Sequence, residues 1–250
     1  MSQYLSGNYF CLSDKGKVRK VNEDYVDAAN NAWGNILLVV ADGMGGENKG
    51  EYASSTLVKS IMDSFLSLEK EFKKPAAVKK WIYKTVKNAN DKIYKKAQKE
   101  EEYRGMGTTL SMCLIIKDTM YTAQVGDSRI YMLKDNNLEQ ISVDQTYVNY
   151  LINTKKVEPS VANTHPERHK LTNAVGTKDI LNVDIQEYQY NKERVLLCTD
   201  GLYNNVPLKD MNSIMRGNDS LDKKCMQLIA FGNANGGTDN MALIIWESDN

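Results

Sequence analysis

Apolar residues fall along this 250-residue chain in two kinds of pattern. The first is the short continuous run: NILLVVA at 35–41, TTLSMCLII at 108–116, MYTAQV at 120–125, RIYML at 129–133, VLLCT at 195–199 and ALIIW at 242–246. Runs of this length, rich in β-branched residues and bounded by Gly, Asp or Asn, predict strands. The 35–41 run is apolar at nearly every position, which predicts a strand covered on both faces. The second pattern repeats every three or four residues. Ala53, Leu57, Ile61, Phe65 and Leu68 predict a helix from Gly50 to about Phe72, and Val78, Trp81, Ile82, Thr85, Val86, Ala89, Ile93 and Ala97 predict another. Two shorter helical stretches lie near 207–216 and 220–231. Asp118-Thr119 and Gly126-Asp127-Ser128 read as turns between neighbouring hairpin strands. Residues 144–170 are polar and mixed, which predicts a short helix plus a mobile excursion. Hairpin strands and paired helices together predict antiparallel sheets covered by helices, not a βαβ alternation. No internal repeat or linker is evident, so 1–250 reads as one domain.

Composition narrows the function. Hydrophobic residues make up 42%, enough for a packed core, and Lys+Arg equals Asp+Glu at 32 each. A neutral chain lacks the basic excess that a nucleic-acid surface needs. The Lys-rich polar face of the second helix reads as a solvated surface. The N-terminus has no secretory pattern and the run Ile36–Ala41 is too short to span a bilayer, so neither export nor a membrane is expected. Cys11, Cys113, Cys198 and Cys225 are widely spaced and read as reduced thiols of a cytoplasmic protein. The two histidines, His165 and His169, are not at zinc spacing from any cysteine. No G-x-G-x-x-G and no G-x-x-x-x-G-K-[ST] is present, so a nucleotide fold has little support.

Three aspartates share one local setting. Asp42 ends NILLVVA and precedes Gly43; Asp200 ends RVLLCT and precedes Gly201; Asp239 follows Gly236-Gly237-Thr238 and precedes MALIIW. A strand end is rigid, and an adjacent glycine lets ligands and carbonyls approach closely. Any one Asp-Gly is ordinary turn chemistry. Three on apolar strands point to converging carboxylates, which repel one another unless a cation neutralises them. An oxygen-only donor set points to Mg²⁺ or Mn²⁺.

An ordered series of motifs resembles the protein phosphatase 2C family of metal-dependent Ser/Thr phosphatases, in its compact bacterial form. The opening stretch runs from Ser13-Asp14 through Arg19 to Asn22-Glu23-Asp24. Val40-Ala-Asp42-Gly43-Met44-Gly45-Gly46, Gly105-Met-Gly-Thr108-Thr109, Val125-Gly-Asp127-Ser128-Arg129, Leu171-Thr-Asn-Ala-Val-Gly176, Leu197-Cys-Thr-Asp200-Gly201-Leu202 and Gly237-Thr-Asp239-Asn240 follow in the family's order. The resemblance implies an α+β fold: a four-layer α-β-β-α sandwich of two stacked antiparallel sheets flanked by helices, with a mobile flap, about 145–170, beside the active site. It implies hydrolysis of phosphoserine and phosphothreonine on proteins, opposing a Ser/Thr kinase, by a monomer with no sensor domain or membrane anchor.

By the same resemblance Asp42 bridges two tightly held Mn²⁺ or Mg²⁺ ions, the Gly43 carbonyl binds the second, and Asp200 and Asp239 complete the first. Glu23 and Asp24 hold metal-bound waters, and Arg19 grips the substrate phosphate with its planar fork. Asp127 with Asp200 takes a third, weaker ion, and His165 in the flap assists proton transfer. The chain departs from the family pattern at Met44, Gln145, Asn173 and Lys192-Glu193. Met44 removes a histidine that many eukaryotic members carry; Gln145 and Asn173 replace the usual His and Arg near the flap. A catalytically dead relative and a hydrolase of another phosphoester are the competing expectations. The filled carboxylate positions disfavour the first, and the neutral charge disfavours the second.

Overall fold

The structure, a computed structural model, describes residues 6–45, 49–161 and 164–249. In chain order its strands and helices are β1 (Gly7–Asp14), β2 (Asp24–Asn30), β3 (Ile36–Met44), α1 (Lys49–Leu66), α2 (Pro75–Lys99), β4 (Gly107–Thr108), β5 (Leu110–Ile116), β6 (Thr119–Val125), β7 (Arg129–Lys134) and β8 (Asn137–Gln140), then α3 (Tyr147–Asn153), β9 (Asp184–Gln189), β10 (Val195–Cys198), α4 (Asp200–Tyr203), α5 (Leu208–Arg216), α6 (Leu221–Ala234) and β11 (Met241–Ser248).

Two antiparallel sheets result. One has the order β1-β11-β10-β7-β8; the other has β2-β3-β5-β6-β9, with β4 attached to β3. Side chains alternate across each strand, so a strand between two layers needs apolar residues at every position. β3 shows this directly. Leu37, Val39 and Ala41 join the core beneath α1 and α2, and Ile36, Leu38 and Val40 join the core between the sheets. β10 and β11 repeat the arrangement on the other sheet. Leu197, Ala242, Ile244 and Trp246 face the sheet that contains β3, while Leu196, Cys198, Leu243 and Ile245 face α4, α5 and α6. Three apolar seams therefore separate four layers, α-β-β-α, as the α+β sandwich expectation requires.

The segment 126–128 differs from expectation. It is not a hairpin turn: β6 pairs with β5 and β9 in one sheet, and β7 pairs with β10 and β8 in the other. The chain crosses between sheets there, with Gly126 at φ 87°. The first helix ends at Leu66, short of Phe72, with a turn closed by the Ser67 N–H on the Asp63 carbonyl. β1, β2, β8 and β9 were not legible as strands. All four are polar or half-exposed, so they lack the apolar run that marks the inner strands.

Candidate active site

The strand ends that carry the aspartates meet at one rim of the sandwich. Register places Asp24 of β2 opposite Asp42 of β3. The β3 end is held by two threonines. Thr109 Oγ1 accepts from the Asp42 N–H (2.9 Å), and the Asp42 carbonyl accepts from Thr108 Oγ1 and the Thr109 N–H (both 2.9 Å). On the other sheet Thr199 stitches β10 to β11 and to β2. Its hydroxyl donates to Asp24 Oδ2 (2.7 Å) and accepts from the Ala242 N–H (2.9 Å). Asp200 follows as the first residue of α4.

Asn240 clasps the loop that presents Arg19. Its side chain accepts from the Glu23 N–H (3.0 Å) and donates to the carbonyls of Lys15 and Val21 (both 2.9 Å). Glu23 ties the loop to α1, accepting the Gly50 N–H on Oε1 (2.9 Å) and the Ser54 hydroxyl on its carbonyl (2.6 Å). Two glycines allow the close approach. A Cβ on Gly43 would stand 2.2 Å from the Gly50 carbonyl oxygen, and one on Gly201 would stand 1.9 Å from the Asn240 carbonyl oxygen.

The result is an open cleft of about 450 Å³, lined by Arg19, Glu23, Asp42, Asp200, Asp239 and His169 among others. Arg19 lies on the rim with Nη2 2.7 Å from Asp239 Oδ2, half exposed. His169 Nδ1 stands 3.9 Å from Asp200 Oδ2. Four of the aspartates, Asp24, Asp42, Asp127 and Asp200, are costly to ionise here. Burial raises the pKa of Asp42 well above the usual carboxylate range, and the charges of Asp24, Asp200, Asp127 and Asp239 raise it further. Asp24 is pushed up to about 8, by burial first and then by Asp200 and Asp239, against the pull of its bond from Thr199. Asp127 is likewise pushed up to about 8 by burial and Asp200, and Asp200 is raised by burial and Asp239. Among the described residues no three His, Cys, Asp or Glu side chains already close on one point as a metal cage. The donor set nevertheless fits hard divalent cations. It is oxygen-only, and it is rich in carboxylates whose mutual repulsion a cation would relieve.

The family model for protein phosphatase 2C matches residues 16–239, which takes in Arg19, Glu23, Asp24, Asp42, Asp127, Asp200 and Asp239. The chain belongs to the protein phosphatase 2C family. Among its relatives, the serine/threonine phosphatase stp of Listeria welshimeri is 32% identical over 236 residues, covering 94% of this chain and 93% of the relative. The protein phosphatase PhpP of Streptococcus pneumoniae is 31% identical, covering 94% of each. The crystal structure of the serine/threonine phosphatase Stp1 from Staphylococcus aureus superposes with a TM-score of 0.91 at 29% identity, covering 100% of this chain and 99% of that one.

In this phosphatase 2C chain the structure brings Arg19, Glu23, Asp42, Gly43, Asp200 and Asp239 to one cleft. Asp24 lies beneath it, buried and bonded to Thr199. Asp127 is buried beside Asp200 at the crossing between sheets, where the Tyr203 hydroxyl donates to its carbonyl (3.0 Å). Arg129 stacks over the Tyr203 ring at 3.5 Å and forks onto Asp144. His165 sits in the flap with Nδ1 accepting the Glu167 N–H (3.1 Å); of the two histidines it is His169 that lines the cleft. Gly46 lies outside the described residues, as do Ala162 and Asn163 within the flap.

The two departures near the flap meet each other. Asn173 Nδ2 donates to Gln145 Oε1 (2.7 Å), which also accepts from the Gly126 N–H (3.1 Å). An amide pair thus replaces the usual His and Arg and ties the flap's base to the Asp127 crossing. Sequence reading gave no role to His169, Thr108, Thr109, Thr199 or Asn240. The hydroxyls and the amide lie inside or beside the motifs, which was the available signal; His169 had none.

Proposed function

We propose that this protein removes phosphate from phosphoserine and phosphothreonine side chains of proteins, undoing the work of a Ser/Thr kinase. The observation that carries this reading is the cluster of buried and half-buried, mutually repelling aspartates opening into a cleft with a half-exposed arginine on its rim. Asp42, the Gly43 carbonyl, Asp200 and Asp239 would hold two Mn²⁺ or Mg²⁺ ions, and Asp127 with Asp200 a third, weaker one. When bound, such cations supply Lewis acidity that acidifies water and offsets phosphoryl charge.

The chain's own groups do the rest. Arg19 leaves Asp239 to fork onto the phosphate, a charge-assisted contact that strengthens as charge moves onto the phosphoryl oxygens. Thr108 and Thr109 fix the end of β3, so Asp42 keeps its position while the cleft fills. Asn240 and Glu23 hold the Arg19 loop against α1. With Met at position 44, the departing Ser or Thr oxygen takes its proton from water or from a flap histidine, and His169 is nearer the cleft than His165. Four free cysteines support a reducing, cytoplasmic setting, and among the described residues no helix is long and apolar enough to cross a membrane. We read the working unit as a monomer.

Phosphate release from a phosphothreonine peptide, a mononucleotide and single-stranded DNA, compared side by side with Mn²⁺ present, tests the substrate class. The peptide should be turned over far faster than the other two. Preference for the nucleotide or DNA would contradict the reading.

A further inference from the structure

α2 carries eight lysines, a single acid, Asp91, and no arginine, within a chain whose formal net charge is zero. Its inner face is core: Val78, Ile82, Val86, Ala89, Ile93 and Ala97 are buried. Three of the lysines are neutralised locally, Lys79 by Glu187 (2.9 Å), Lys87 by Asp91 (2.9 Å) and Lys96 by Glu100 (2.7 Å). The other five, Lys80, Lys84, Lys92, Lys95 and Lys99, are exposed and form no ion pair among the described residues. At 3.6 residues per turn these five fall within about a third of the helix circumference, and at 1.5 Å per residue they run over roughly 29 Å of its length. Tyr83 is 47% exposed at the flank of this stripe.

We propose that this stripe is a docking surface for an anionic lipid bilayer, holding the phosphatase reversibly at a membrane face without inserting into it. This revises the expectation of a merely solvated face with no membrane partner. Five unpaired like charges on one side of a helix repel one another, and a surface of opposite sign relieves that repulsion. The choice of cation separates the possible partners. Specific reading of a phosphate, a carboxylate or a base edge favours the arginine fork, and α2 has none. A fluid charged surface asks only for point charges on flexible stems, which lysine supplies. The shape agrees: the stripe is a convex ridge, whereas a single nucleic-acid strand is held in a groove with stacked aromatics. Tyr83 adds an amphipathic ring of the kind that sits at the lipid–water boundary.

The test is co-sedimentation of the full chain with vesicles of phosphatidylcholine alone, or with an equal part of phosphatidylglycerol, beside fluorescence anisotropy with a labelled single-stranded RNA. The protein should partition onto the anionic vesicles, not the neutral ones, and high salt should release it. The triple variant Lys80→Gln/Lys84→Gln/Lys95→Gln should lower the partition coefficient by about 100-fold, from roughly fivefold per lysine. Its turnover of p-nitrophenyl phosphate should match wild type, which shows that the fold and the cleft are intact. Equal partition onto both vesicles, no partition, an unaffected triple variant, or tighter binding to RNA than to vesicles would each overturn the proposal.

Discussion

Arg19 shows how much one residue's position says about its work. Its guanidinium lies half exposed on Asp239, a carboxylate that the same reading assigns to a metal. The pair is a resting contact: cation binding at Asp239 would free the fork for the substrate phosphate. Arg19→Ala should therefore lower kcat/KM on a phosphothreonine peptide by about 10- to 100-fold, the worth of one charge-assisted hydrogen bond. Steady-state kinetics on that peptide would check it, and unchanged kinetics would remove Arg19 from the site. Thr199 acts differently, through what it leaves unpaired. Its buried hydroxyl serves Asp24 and the Ala242 N–H at once. Thr199→Val keeps the shape and strands both, so urea unfolding should report a loss of about 2–3 kcal/mol. Asp42, Asp200 and Asp239 were legible in the sequence because glycine and strand punctuation mark them, whereas Arg19 was picked out only by the motif resemblance. Thr199 was not, because nothing in a sequence says that a threonine in one sheet will face a carboxylate in the other.

At the scale of elements, the sheet edges build the site by letting backbones approach closely. α4 begins at Asp200, and Gly201 lies against the carbonyl of Asn240, where a Cβ would stand 1.9 Å from the oxygen. That oxygen is backbone just before β11 and cannot yield without separating Asp200 from Asp239. Gly201→Ala should cost about 1–3 kcal/mol of stability, as overpacking does, and should also depress turnover, because the displaced groups are the carboxylates themselves. Urea unfolding and kcat measured on the same preparation would check it; a stable, fully active variant would mean that the α4–β11 contact does not set the site. The inner strands and both long helices were legible because burial on two faces, or on one helical face, writes a clear period. β1, β2, β8 and β9 were not, since an edge or half-exposed strand needs few apolar residues. The crossing at 126–128 was misread for a related reason. A glycine-aspartate turn looks the same whether the chain returns to its own sheet or passes to the next. Only the pairing of β7 with β10 reveals which, and that pairing is what sets Asp127 beside Asp200.

At the scale of the whole molecule, the carboxylate cluster couples stability to pH and to metal. Asp24 and Asp127 are raised to about 8, chiefly by burial, from an unfolded value near 4. Between those values the native state binds more protons than the unfolded chain, so stability falls as pH rises. In chelator the melting temperature should drop between about pH 5 and pH 8. Mn²⁺ should restore it strongly at the upper end, where the cation meets ionised carboxylates, and weakly at the lower end, where protons hold them. A metal-free protein that grows more stable toward pH 8 would contradict the buried, repelling cluster. The α-β-β-α layering and the place of the cleft were already implied by the ordered motifs. The lysine ridge on α2 emerged only when the structure showed which lysines lack partners. The central claim is that hydrolysis of phosphothreonine depends on cations held by Asp42, Asp200 and Asp239. Its most direct test is phosphate release from a phosphothreonine peptide as Mn²⁺ is titrated back into chelator-stripped protein, wild type beside Asp42→Ala. Activity should be absent without metal, return with Mn²⁺ in the wild type, and stay absent in the variant at every concentration; full turnover by stripped wild type, or recovery by the variant, would contradict it.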